Sequence, residues 1–217
     1  MTSGMGQEKE FVRLLLGWAQ NNLREFPWRE TEDPYEIFIA ETLLKRTTSK
    51  AVNRLFEDFL QEFDSLDKIL QASEGQLEEA LKPVGLYKQR SKGLKEAATY
   101  INENFDSLFP TTYGGLIEIP HIGPYTAGAI ASFAFDRPIP IVDSNVKRVT
   151  MRVFQNKLSE EPTNNEVKKL LQELIPQDKH RSFNLGLIDL GSLVCSYDKK
   201  VCSRCPVKQA CHSIELG

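Results

Sequence analysis

The chain has 217 residues, 41% of them apolar, and a formal net charge of -3. That apolar share supports an ordinary buried core and excludes a disordered chain, and no apolar run is long enough to span a bilayer as a helix. The first residues, MTSGMGQEKE, do not form a secretory signal, so a cytoplasmic rather than membrane-bound protein is expected, and a mildly acidic total does not itself advertise nucleic acid.

Taken in order, the segments read as helices. Phe11, Leu14, Leu15 and Trp18 recur at i, i+3, i+4 and i+7, the spacing of one helix face. FPWRETED breaks that pattern. Asp33, Pro34 and Glu36 then read as N-cap, first helical position and capping-box partner of a second helix, with Ile37, Ala40 and Leu44 on one side. Val52, Leu55, Phe56, Phe59 and Phe63 mark a third. Ser73 with Gln76 caps a short one, and Leu94, Ala97, Ala98 and Ile101 stripe another. A helix ending near Ile119, a turn at 120–124 and the small-residue segment TAGAIASFAF follow. Thr163 with Glu166 caps a helix striped by Val167, Leu170, Leu171 and Leu174. PIPIV is too short and proline-rich for a convincing strand, so the expected class is all-α.

Four features carry chemistry. All four cysteines, Cys195, Cys202, Cys205 and Cys211, fall in one C-x6-C-x2-C-x5-C run. In a reducing compartment such a cluster is a ligand set rather than a pair of disulfides. Four thiolates can hold tetrahedral zinc or a 4Fe–4S cubane, and a single C-x2-C knuckle with unequal gaps favours the cubane. In LIEIPHIGPYTAGAIASFAF, a turn opening onto a helix aims backbone N–H groups at one point, which suits a phosphate oxygen; the alternative is an ordinary helix connection. Asp143 stands before SNVKRV as a plain N-cap, or as a fixed negative charge for a cationic sugar. Glu41, in EIFIAETLLKRTTSK, is either an exposed helix position or a buried acid. Basic residues gather at Lys45, Arg46, Lys50 and Arg54; at Lys88, Arg90, Lys92 and Lys95; at Lys147, Arg148 and Arg152; and at Lys199, Lys200 and Arg204. One such run is a solvated helix face; four beside these motifs point to a polyanion.

Hairpin, aspartate and cysteine run, in that order, resemble the helix-hairpin-helix DNA glycosylases that include endonuclease III. The likeness runs from about Phe26 to Cys211. PWRETEDPYEIFIAETLLKRTT resembles the MutY adenine-glycosylase branch, while LLKRTT, GPYTAG and FNLGLID are similar to the thymine-mismatch (Mig-type) group. The resemblance implies two helical domains flanking a DNA-binding cleft: a six-helix barrel with the hairpin at 29–135, and a 4Fe–4S cluster domain from 1–28 and 136–217. It also implies a monomer acting on double-stranded DNA with a mismatched or damaged base, and an alkali-metal ion at the hairpin. Asp143 would stabilise the oxocarbenium-like sugar, and Glu41 would supply a proton or orient water. Tyr125 stands where lyase-active members carry lysine, so base excision without strong strand cleavage is implied. Lys45, Leu86, Tyr87, His121, Gly123, Tyr125 and Thr126 would meet DNA, with Leu86 of GLYKQR as a wedge and Lys45 in the place of a gap-filling glutamine. The family hairpin commonly reads LPGVG; here it is IPHIG, with His121 where glycine often takes positive φ. The short C-terminus after Cys211 favours thymine or uracil opposite guanine. Adenine opposite guanine or 8-oxoguanine is the alternative, and a non-catalytic DNA-binding protein is the second.

Overall fold

The regular elements among the described residues are all helical. A computed structural model describes residues 4–197 and 201–214, with side chains at 6–197 and 201–213, so Lys199 and Lys200 of the last basic run lie outside it. The chain divides into two compact units, Glu25–Asp136 and the combination of Met1–Arg24 with Arg137–Gly217. Residues 25–28 therefore group with the former. Trp28 explains this: the 3-10 turn Pro27–Arg29 buries it edge-on against Phe56, while Phe26 stacks on its other side.

The unit Glu25–Asp136 follows the local signals closely. Helix α1 (Gly4–Asn22) belongs to the other unit; here α2 (Pro34–Leu44) begins where Asp33 caps it. The Asp33 carboxylate accepts from the Tyr35 N–H at 2.8 Å, a cap without the expected reciprocal box to Glu36. Then come α3 (Ser49–Glu62), α4 (Leu66–Gln71), α5 (Glu74–Leu81), α6 (Tyr87–Phe105), α7 (Tyr113–Glu118) and α8 (Pro124–Phe133). That is one helix more than a six-helix barrel, because the chain turns extended at Ala72 and Ser73 restarts it with a full capping box to Gln76. Helix α2 is not amphipathic: Tyr35 and every residue from Ile37 to Leu43 are buried, and Glu36 is half-buried. Helices α3, α6 and α8 pack around it, so its surroundings leave no solvent face. Its contact with α8 is possible because Ala127, Gly128, Ala129 and Ala131 are small and wholly buried.

The other unit packs α1 against α11 (His180–Leu193), with α9 (Ser144–Val153) and α10 (Asn164–Leu174) completing the core. Phe11, Leu15, Val149, Phe154, Phe183 and Leu187 form its centre. Gly186 lets α1 and α11 approach, since a Cβ there would lie 3.3 Å from that of Ala19. Buried Asp189 is held by Arg24, whose Nη2 lies 2.6 Å from it and whose N–H donates at 2.7 Å. Asn184 fixes PIPIV, donating to the Ile139 carbonyl at 2.9 Å and accepting from the Ile141 N–H at 3.2 Å. Thr163 caps α10 as expected, but Glu166 reaches back to Ser159 instead of closing a box. No helix of the described residues is long and apolar enough to cross a membrane.

Candidate functional site

Short 3-10 turns at Cys202–Arg204 and Lys208–Ala210 bring the C-terminal loop back over α9 and the end of α11. None of the four cysteines is in a disulfide, and all line one pocket, walled by Val149, Leu190, Val207 and Arg152. Burial pushes the Cys205 thiol up to about 11, with the other three cysteines adding to the shift. Arg152 donates from Nη1 to the Cys195 sulfur at 3.2 Å and to the Ser196 carbonyl at 3.0 Å. Among the described residues, no group of three or more His, Cys, Asp or Glu side chains converges on a single-ion site. The thiols instead ring a pocket, and four soft donors with an N–H aimed at one of them fit the chemistry of an iron–sulfur cluster.

Asp143 is the N-cap of α9. One carboxylate oxygen accepts from the Val146 N–H at 2.7 Å, and the other from Asn145 Nδ2 at 3.2 Å. Half-buried and held at a helix N-terminus, the carboxylate is fixed in place beside the positive end of the helix dipole. The bonds continue: Asn145 Oδ1 accepts from Arg148 at 2.8 Å, and Arg148 donates to the Gly191 and Cys195 carbonyls at 2.8 and 2.9 Å. A hydrogen-bonded path thus joins Asp143 to the backbone of a cysteine in the pocket. Neither Asn145 nor the linking role of Arg148 was singled out by the sequence; their positions two and five residues after Asp143, in the first turns of α9, are the only signal.

The remaining candidates lie on the Glu25–Asp136 unit. Glu41 is 7% exposed, the buried alternative of the two open from sequence. Its charge favours the ammonium of Lys45, while burial, the larger effect, pulls the Lys45 pKa down. Lys45 does not project freely: its Nζ donates to the His121 carbonyl at 2.7 Å, tying the turn after α2 to the hairpin. Arg46, not singled out beyond its basic run, is exposed in that turn, as Lys45 is, and has φ of 55°. Leu86 is 42% exposed with φ of 50°, so core packing does not account for it; Tyr87 behind it is half-buried and starts α6. His121 takes φ of 65°, as its place in the hairpin foreshadows. Its imidazole pairs with Glu96 and lies over Gly93, where a Cβ would come within 3.2 Å of the ring. Gly123 is the N-cap of α8, Tyr125 is half-buried in its first turn, and Thr126 is buried. With Gly123 offering no side chain as a cap, the first N–H groups of α8 are not capped from that position.

The helical fold, the hairpin ahead of a small-residue helix and the capped aspartate define the class. Residues 39–177 match the HhH-GPD superfamily of base excision DNA repair proteins, and the chain belongs to that superfamily. It is 32% identical over 210 residues to the thymine/uracil-DNA glycosylase of Methanothermobacter thermautotrophicus, covering 96% of this chain and 95% of that one. It is 31% identical over 204 residues to the adenine DNA glycosylase of Buchnera aphidicola subsp. Schizaphis graminum, of which it spans 58%. The solved structure of a thermostable thymine-DNA glycosylase matches with a TM-score of 0.95 at 31% identity, over 98% of this chain and 99% of the other.

Proposed function

We propose that this protein is a monofunctional glycosylase that hydrolyses the N-glycosidic bond of thymine or uracil mispaired with guanine in duplex DNA, acting as a monomer on nucleoid DNA. The observation that carries the chemistry is the Asp143 carboxylate, fixed by two hydrogen bonds at the start of α9. The C1′–N bond breaks, its electron pair leaves with the base, and positive charge grows on the deoxyribose, where a fixed anion stabilises the transition state more than the ground state. Water then adds its oxygen to C1′ and gives up a proton, leaving an abasic site. Glu41, buried on α2, would deliver a proton to the departing base or orient that water. No amine stands at Tyr125 to form a Schiff base, so the strand stays intact.

Lys45, Leu86, Tyr87, His121, Gly123, Tyr125 and Thr126 remain the proposed DNA contacts, with Leu86 filling the space of the flipped nucleotide. His121 would contribute through the hairpin backbone, since its ring is engaged by Glu96. An alkali-metal ion at that turn would share it with the Lys45 ammonium. Cys195, Cys202, Cys205 and Cys211 would hold a 4Fe–4S cluster, which contributes folding energy to its unit and takes no part in hydrolysis. Thymine and uracil are favoured over adenine because the similarity to the thymine/uracil enzyme extends over 95% of that protein.

A gel assay on T:G, U:G and A:8-oxoguanine duplexes tests the reading. Alkali-dependent cleavage at thymine or uracil is expected. Cleavage at adenine alone would move the protein to the adenine branch, and a borohydride-trapped adduct would make it a lyase.

A further inference from the structure

Arg90 is 5% exposed, yet its described polar partners are four carbonyl oxygens and a hydroxyl, with no carboxylate among them. Nη1 donates to the Thr42 carbonyl, and Nη2 to the Lys45 carbonyl at 2.6 Å and the Thr47 hydroxyl at 2.7 Å. Nε donates to the Gly85 carbonyl at 2.8 Å. The Thr47 hydroxyl closes the loop by donating to the Val84 carbonyl at 3.1 Å. Taking a guanidinium out of water is costly, and an apolar side chain of similar volume commonly serves packing as well. Packing is therefore a weak reason for this residue.

What a guanidinium does here, and an apolar chain could not, is bind two turns to each other. The turn at 45–47 carries Arg46 at φ 55°, and the turn at 84–86 carries Gly85 at φ 70° and Leu86 at φ 50°. Left-handed backbone at residues other than glycine persists only where the surroundings over-determine it, and such positions gather at working sites. Arg90 supplies that restraint to both turns, and the Lys45 bond to the His121 carbonyl extends it to the hairpin, where His121 is again left-handed. Leu86 is the large apolar side chain these bonds leave in solvent.

We infer that Arg90 is a positioning residue for nucleotide flipping: its guanidinium locks the 45–47 and 84–86 turns into one preset unit, so that Leu86 meets the duplex already projecting. The inference rests on the glycosylase reading and adds to it a residue that touches neither DNA nor the reacting atoms. Without the guanidinium, the wedge must be ordered while the base is being unstacked, and that ordering falls on the flipping step.

The test compares Arg90→Gln, Leu86→Ala and the double variant on a U:G duplex carrying 2-aminopurine beside the mismatch. Each single substitution should slow single-turnover excision by about 10²-fold, the penalty of a misplaced contact, and should reduce the fluorescence rise on binding. The double variant should be no slower than the worse single, because Arg90 works through Leu86. Affinity of Arg90→Gln for fully matched duplex should stay within about twofold, which a general loss of structure would not allow. Multiplicative losses in the double variant, an unchanged fluorescence rise in Arg90→Gln, or a parallel fall in matched-duplex affinity would each overturn the assignment. If Arg90→Gln does not fold, Thr47→Val removes the hydroxyl that links the two turns and should give the same pattern at smaller size; a wild-type response from it overturns the assignment equally. A wild-type protein that excises no base sinks the glycosylase reading instead, and the fluorescence comparison then still decides the role of Arg90.

Discussion

Asp143 serves two purposes that one substitution separates. Its carboxylate caps α9 through the Val146 N–H, and its charge faces the developing cation in the proposed reaction. Asparagine caps a helix about as well as aspartate but carries no charge. Asp143→Asn should therefore change stability by less than about 0.5 kcal/mol while slowing excision by about 10²–10³-fold. Denaturant melts beside single-turnover rates check this; an active Asp143→Asn protein would remove the electrostatic argument. Of the site residues, His121 was the most legible, because a histidine in a glycine's place in a tight turn announces a positive φ. Glu41 was not, because the same helical stretch places a carboxylate in solvent or in the core depending on what packs around it.

Helices here differ in how far their sequences speak for them. Helices α3 and α10 carry clear apolar stripes and capping threonines, and they form where those signals lie. Helix α2 has a stripe too, but its neighbours bury most of its surface, Glu41 included. The approach of α9 to α11 is set by a single glycine: a Cβ on Gly191 would come within 2.7 Å of the Asn145 Cβ and 3.0 Å of its carbonyl oxygen. Backbone cannot yield as a flexible side-chain tip can. Gly191→Ala should cost about 1–3 kcal/mol by overpacking. It should also slow excision, since Asn145 is the link between Asp143 and Arg148. Thermal unfolding and rates measured on the same preparation test both parts; a variant as stable and active as wild type would show that the contact relaxes freely.

At the scale of the molecule, the cysteine pocket belongs to the unit built from the chain's two ends, with α1 packed on α11. Anaerobically purified protein should be brown and contain about four irons per chain. Removing the iron should lower the unfolding temperature, because ligand binding to the native state alone adds to stability. Stoichiometric zinc, or a colourless protein of unchanged stability, would overturn the cluster assignment.

The sequence by itself determined the all-helical class, the starts of α2, α5, α9 and α10 and the turn that opens onto α8, because caps, periodicity and turn residues act over a few positions. It did not determine that Glu41 is buried, that Lys45 turns to the hairpin, that Arg90 joins two loops, or that Asp143 is linked to Cys195. Those depend on partners far along the chain, with Arg90 reaching Thr42 across 48 positions and Arg148 reaching Cys195 across 47. Only packing decides which distant carbonyl a buried cation finds, since no local rule records where that carbonyl will be.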